Sequence, residues 1–592
     1  METQTEQKFK MPEMRQFLVL IPFALFYAVA AILGEPMEAA AMGIPKCLVR
    51  FGAWFGGSYV IMLVLCALIS QRGAIAARIP FLARIPARKK RPEKWYIGPI
   101  FTLVCMIGYI PYFLMYYPTW LNNDAVWQIQ QAMGIVPSSN HHPFFHTLIL
   151  KVFITIGYRL YGSYAVGAAF YTFFQMLVMA SVFSFLLYQF YKKGTRWIWL
   201  ILALLFYAAL PVNALLTICM GKDEFFTAVL LIFTWMTAEF NLEKETPYQW
   251  QAYFTVGFLL CLLRSNGRFI YFGTMLAVMA SIWRKKDKKT NKRKFPFGTF
   301  TVVLAVGVSC LIYFGPLLRS MAVWPADIIE GLTMPTQHVL CAYVKGGELT
   351  EEEIELIDAV APVENLADHY NPWLFDIAKN YIREEGDQWA IARQPGEYLK
   401  LWVRVGLRNP VHYILAEIRQ TSGYWAYSTK DYQYLYGEYF TVDNPFGITT
   451  ERKVFTYDQE LAMHDFLMGF QDLFNRFWSI GLNTWLMVFG LAYVVYNRKR
   501  AVVYAPYVSL LISLLLATPV YHEFRYAYGL FAAFPLLFSY TFGETKPEEE
   551  EASDGKEKAA GMKPLYKPLE KAEGKVPGAE TLRNGHKDEK ME

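Results

Sequence analysis

Charge is scarce in this chain. Only 18% of its 592 residues are Asp, Glu, Lys or Arg, against about a quarter in soluble globular domains, which argues against a soluble enzyme. Cysteine is sparse and scattered: Cys66, Cys105, Cys219, Cys261 and Cys310 fall within apolar runs and only Cys47 and Cys341 clearly outside them. No CxxC or zinc-type spacing occurs, so neither a disulfide framework nor a structural metal is expected. No ATP-binding P-loop is present, and sugar nucleotides are not expected outside the cell. Short alternating strands are missing too, which argues against a β-barrel. The first apolar run, about 17–33, has no small-residue cleavage site at the expected place and reads as a retained helix.

What the chain has in abundance is apolar sequence, 54% of residues, with 17% aromatics. Apolar runs near 20 residues recur along its length, the signature of transmembrane helices, and the aromatics suit interfacial belts. The expected fold is an all-α polytopic membrane protein. Candidate spans are 17–34, 52–70, 98–117, 164–190, 197–217, 223–240, 251–265, 268–283, 299–317, 480–497, 502–519 and 526–541, about twelve in all.

The net charge is only +6 and its placement says more than its size. Basic runs lie in short loops, from Arg78 to Lys94, Arg284 to Lys294 and Asn497 to Arg500, with a weaker one at Lys192, Lys193 and Arg196. They read as cytoplasmic topology signals rather than as a nucleic-acid surface. Both termini then lie in the cytoplasm, and loops 118–163 and 318–479 are extracytoplasmic. The alternation requires the apolar stretch 143–160, which contains Lys151 and Arg159, to lie in the outer interface instead of crossing. The expected organisation is an extra helix pair and basic loop over 1–97, a transmembrane core over 98–317, a helical extracytoplasmic domain over 318–479, final helices over 480–543, and a disordered cytoplasmic tail over 544–592. In 318–479, Thr350 with Glu353 forms a capping box, and a helix break is expected at Asn409-Pro410.

Four polar patches fall on the outer side. In the first, "NNDAVWQIQQAMG", a helix capped by Asn123 would place Asp124, Gln128 and Gln131 on one face. His141-His142-Pro143 follows, with Pro143 suited to a first helical turn and the histidines near an anion-favouring helix start. His146 shares a face with His142, so the two are candidate ligands of a divalent metal, although no third ligand is evident. The second patch is Lys222, Asp223 and Glu224. The third is Arg264 and Arg268, two arginines that break the positive-inside pattern and call for an anionic partner, lipid phosphate or a carboxylate. The fourth is His522, Glu523 and Arg525. Ordinary roles exist for each: Asp124 favours a helix N-terminus, the histidines suit an interface, and Lys222 snorkels. Their common side makes one shared site the stronger reading. Cations with a carboxylate at a membrane edge suit a lipid phosphate, held by Arg or Lys, with the carboxylate as base toward a hydroxyl.

The order of elements resembles the GT-C superfamily of membrane glycosyltransferases, which includes protein O-mannosyltransferases and aminoarabinose transferases. Asp124 matches that superfamily's acidic position on an external juxtamembrane helix. His142-Pro143 resembles its basic-Pro motif, and Asp223 its second external acid. The segments "DAVWQIQQAMG", "HHPFFHT", "GKDEFF", "RSNGR", "MPTQH" and "GYW" more closely resemble an uncharacterised family of large, chiefly Gram-positive, bacterial membrane proteins, over about 98–541. Asn122 and Asn123 stand where the superfamily often has a second acid, and histidine stands where it has lysine before proline. The resemblance implies a GT-C-like bundle that transfers a sugar from a polyprenyl-phosphate carrier to an envelope polymer or glycolipid. Asp124 would be the base and Asp223 an orienting acid. Lys222, His142, Arg268 and Arg525 would hold the leaving phosphate, with Gln128, Gln131, His141 and Arg264 lining the substrate site. A transporter or lipid flippase, and a non-catalytic envelope assembly protein, are the rival readings. A flippase would place its ionisable groups at mid-membrane in repeated halves.

Overall fold

The computed structural model describes residues 11–34, 43–72, 75, 90–240, 246–284, 293, 295–427, 443–451 and 453–543. The expected tail over 544–592, and most of the basic loops 78–94 and 284–294, lie outside these residues. The described residues form helices, with three isolated β-bridges and no strand.

Five helices are long and apolar enough to cross a membrane: Met14–Leu33, Ile44–Ser70, Ile97–Met115, Tyr164–Lys192 and Phe297–Ser320. The number rises to seven if two bent pairs each count as one span, Trp197–Ala208 with Pro211–Ile218 and Tyr457–Phe477 with Ile480–Tyr496. The other expected spans are also helical, but shorter or more charged. Lys222–Glu239 opens on three charged residues and Pro247–Leu263 has 17 residues. The last expected span is divided into Phe524–Ala532 and Phe534–Phe542. Length and composition therefore support a helical membrane protein, with five to seven candidate spans among the described residues. The second span begins earlier than expected, at Ile44, which puts Cys47 inside a helix; Cys341 is buried in a helix of the cap.

Local sequence explains several boundaries. Ser163 starts the Tyr164–Lys192 helix by accepting from Val166 N at 3.3 Å. Before it, Gly162 ends the Phe144–Tyr161 helix at φ +66°, a conformation that favours glycine. These two helices fold back on each other so closely that a Cβ on Gly157 would sit 2.1 Å from Gly167 N. Small residues permit this backbone approach. Phe144–Tyr161 is not among the candidate spans and leaves Lys151 and Arg159 exposed, in keeping with an interfacial helix.

Basic loops gather at one end of the bundle. Arg500 donates to the carbonyls of Ala238 and Phe240, closing the Lys222–Glu239 helix, and Lys499 Nζ donates to Thr541 O at 2.9 Å. Lys193 pairs with Glu239 and Tyr540. Cations at helix C-termini complement the helix dipole, so these basic residues have a structural role at this end. Asp124, Lys222 and Arg525 belong to the opposite end.

There a helical cap follows the Phe297–Ser320 helix. Its own core includes Ile329, Leu340, Phe375, Ile382, Leu401 and Val405. The Thr350–Glu353 capping box is present, and Asn409-Pro410 does separate two helices, Pro395–Arg408 and Pro410–Thr421. The expected domain limits shift, because the Tyr457–Phe477 helix packs into the main bundle through Leu467 rather than into the cap. Two seams fix the cap in place. Phe375 N donates to Pro519 O at 2.8 Å and Tyr521 N to Trp373 O at 3.0 Å, while Asn140 N donates to Trp324 O at 2.8 Å.

Candidate functional site

The site begins with a register. Trp120 pairs in parallel with Cys219, with Trp120 N donating to Ile218 O at 3.2 Å and Met220 N to Trp120 O at 2.9 Å. Two helices start just beyond this bridge. The first is Asn123–Ala132, capped by Asn122 rather than by Asn123, its side chain accepting from Ala125 N at 2.8 Å. The second is Lys222–Glu239. Because both starts are fixed by one bridge, Asp124 in the first turn of one helix faces Lys222 at the start of the other. Lys222 Nζ reaches Asp124 Oδ2 at 2.8 Å.

Two further groups close on this pair. Lys222 Nζ also lies 3.1 Å from His142 Nδ1. An ammonium only donates, so His142 accepts there and carries its proton on Nε2. Arg525 Nη1 lies 3.6 Å from Asp124 Oδ2, and its Nε donates to Glu523 Oε1 at 3.2 Å. The loop holding Glu523 is anchored through Glu523 N to Tyr424 Oη, 3.1 Å, and presses on Gly423, where a Cβ would meet Tyr521 O at 2.1 Å. The "GYW" segment thus seats the loop that delivers Arg525.

Asp223, one residue beyond Lys222, is buried and accepts from Arg264 Nη1 at 2.5 Å. The Arg264 guanidinium lies 4.7 Å from the Tyr526 ring, and Arg525 lies 5.8 Å from the same ring. One cluster therefore contains Asp124, Asp223 and Glu523 against Lys222, Arg264 and Arg525, with neutral His142 beside them.

Burial alone would raise the Asp124 carboxyl, but Lys222, Arg525 and His142 together outweigh it and hold it well below the usual carboxylate range. The side chain is still 34% exposed. Burial, reinforced by Lys222, pushes His142 well below the ordinary histidine range.

Several expected residues have other roles. Gln128 is buried: its Nε2 donates to Thr147 Oγ1 at 3.0 Å and its Oε1 lies 3.0 Å from His146 Nδ1. Gln131 donates to Ser139 Oγ at 2.8 Å. Both amides brace the loop instead of facing a cavity, because the helix face they share packs against the Phe144–Tyr161 helix and the preceding turn. His146 Nε2 lies 2.6 Å from Tyr171 Oη. Both ring nitrogens of His146 are thus engaged, so the pairing of His142 with His146 does not fit a metal. Among the described residues no group of three His, Cys, Asp or Glu is arranged to hold one. His141 lies against His142, ring centroids 4.5 Å apart, and 3.7 Å from Glu330 of the cap, where Lys379 and Arg383 also meet that glutamate. Arg268 is not part of the cluster; its guanidinium lies 4.7 Å from the Phe314 ring.

Tyr171 and Gln175 were not among the expected site residues. Tyr171 Oη also lies 2.8 Å from Gln175 Oε1 and 3.1 Å from Gly221 O, and Gln175 Nε2 donates to the carbonyls of Thr217 and Cys219. Polar groups four apart inside an apolar span were the available signal.

His146 supplies a pH prediction. Burial pushes it from the ordinary 6.5 down to about 3. Between these values the unfolded chain binds a proton that the folded one does not, so stability falls as pH drops below about 6.5. Acidification from pH 7 to 5 is expected to cost about 2 kcal/mol at this site, measured by denaturation in detergent, and His146→Gln should flatten that part of the profile.

Residues 137–556 match a family of unknown function (DUF6020). That is more than half of the chain, and the chain belongs to this family. The match includes His141, His142, His146, Lys222, Asp223, Arg264, Arg268 and Arg525, and begins after Asp124, Gln128 and Gln131. No curated protein and no solved structure matches.

Proposed function

We propose that the chain is an integral membrane glycosyltransferase of the GT-C type. It moves a sugar from a polyprenyl-phosphate carrier to an extracytoplasmic envelope polymer or glycolipid. The observation that carries the reading is the partly exposed Asp124 carboxylate held between Lys222 and Arg525, beneath a cap. In this reading the shorter apolar helices complete a bundle of about twelve spans, with both termini cytoplasmic and the cap outside.

A carboxylate tied to two cations is a weak base. A phosphate arriving at Lys222 and Arg525, beside neutral His142, competes for these two cations and returns basicity to Asp124. The acceptor hydroxyl then gives its proton to Asp124 while its oxygen bonds to the anomeric carbon. The bond from that carbon to the phosphate oxygen breaks, and the charge left on phosphate rests on Lys222 and Arg525. One displacement inverts the anomeric centre. Asp223, bound to Arg264, supports the wall behind Lys222.

A flippase reading is less well supported, because the charged cluster lies at one end of its helices. The test is transfer of labelled sugar from a panel of polyprenyl-phosphate donors in membranes containing the protein. Transfer dependent on the protein supports the reading; translocation of the carrier with no transfer from any donor replaces it with the flippase.

A further inference from the structure

Arg268 lies in the first turn of the Ser265–Arg284 helix, four residues beyond the Arg264 that pairs with Asp223. Unlike Arg264, it meets no acid. Its Nε is shielded from solvent and has no hydrogen-bond partner, and its guanidinium lies over the Phe314 ring at 4.7 Å. Among the described residues it has no ion-pair or hydrogen-bond partner at all. A guanidinium stacked on a ring, with its Nε–H shielded and unpaired, is costly next to a low-dielectric medium.

The neighbourhood is built in a particular way. Phe314 lies in a π-helical turn, Tyr313–Leu317, near the end of a span. Such turns frequently occur at functional sites. Tyr313, its ring centroid 5.0 Å from that of Phe314, has a buried hydroxyl that also lacks a partner. The same helix presents Leu311, Ile312 and Leu317 outward, 75%, 54% and 43% exposed. A cation and a hydroxyl thus wait for an acceptor next to an outward-facing apolar strip.

We infer that Arg268, stacked on Phe314 with Tyr313 beside it, binds the phosphate of a lipid whose chain lies along Leu311, Ile312 and Leu317. Arginine suits this task because its fork donates two parallel hydrogen bonds to a phosphate. Arg268 makes no contact with Asp124, Lys222 or Arg525, so this phosphate is not the reacting one, and the site does not depend on the transferase reading. Either a bulk anionic phospholipid or a polyprenyl phosphate offers the same group.

The test uses the full chain in phosphatidylcholine nanodiscs with a trace of photoreactive phosphatidylglycerol and no sugar donor. Labelling of the Phe297–Ser320 helix is expected, falling roughly tenfold in Arg268→Gln, the loss of a charge-assisted contact, and persisting in Arg268→Lys. Phe314→Leu, which leaves the charge in place, should fall part of the way and serves if Arg268→Gln does not fold. Competition by unlabelled polyprenyl phosphate at a lower mole fraction than by phosphatidylglycerol makes the carrier the occupant; the reverse order makes it bulk lipid, and both support the site. Equal labelling of wild type and Arg268→Gln overturns it. So does loss of label to inorganic phosphate alone, which would mark an aqueous anion site.

Discussion

Replacing Asp124 by asparagine is expected to lower sugar transfer by about 10²- to 10⁴-fold, the usual contribution of a positioned general base, and at the same time to tighten binding of the bare polyprenyl phosphate. The second effect separates chemistry from damage. In the resting protein Asp124 occupies Lys222 at 2.8 Å and Arg525 at 3.6 Å, so it competes with any incoming phosphate for both cations. Asparagine keeps the shape and removes the competitor, but its amide accepts no proton at neutral pH. Turnover and carrier affinity should therefore move in opposite directions. Initial rates with labelled donor, with carrier binding measured on the same preparation, check both. Equal transfer in wild type and variant would remove Asp124 from the chemistry. Lost transfer with weakened carrier binding would point to a collapsed loop. Acidity alone should not imitate the substitution in the mildly acid range, because the surrounding cations hold the Asp124 carboxyl well below the usual range.

Much of the fold was legible because membrane helices announce themselves through length and apolarity. The Ile97–Met115 and Tyr164–Lys192 helices lie close to the runs at 98–117 and 164–190. Charge placement was enough to separate the end bearing Lys193 and Arg500 from the end bearing Asp124 and Arg525. The Thr350 box and the Asn409-Pro410 break were readable because capping and proline act over four residues or fewer. Long-range partners were not readable. Spacing put Asp124, Gln128 and Gln131 on one helix face, but only the fold shows that the two amides meet Thr147, His146 and Ser139. The two arginines of "RSNGR" looked alike in sequence and separate completely in space, one on Asp223 and the other on Phe314. The Trp120–Cys219 bridge that sets the site's register joins residues 99 positions apart, and neither carries a local strand signal.

Arg264→Met should be among the most destabilising single changes in the bundle, at about 3–5 kcal/mol, because it strands a buried carboxylate. Asp223 is 4% exposed, and Arg264 is the cation bonded to it, at 2.5 Å. The arginine also stacks near Tyr526, so its loss removes packing together with charge. Asp223→Asn should cost less, since the amide oxygen still accepts from Arg264. The double variant Arg264→Met with Asp223→Leu should recover most of the loss, because replacing both members of a buried pair by apolar groups avoids the uncompensated charge. Denaturation in detergent of Arg264→Met, Asp223→Leu and the double variant gives the cycle, and additive losses would show that the pair is not coupled. The double variant then assigns a role to Asp223. Restored stability with transfer intact makes the pair a scaffold that fixes the start of the Lys222–Glu239 helix. Restored stability with transfer still lost gives the pair a direct part in transfer, because the fold would be present and only the two charged groups missing; transfer lost equally in Asp223→Asn, which keeps Arg264, would then place that part on the Asp223 carboxylate.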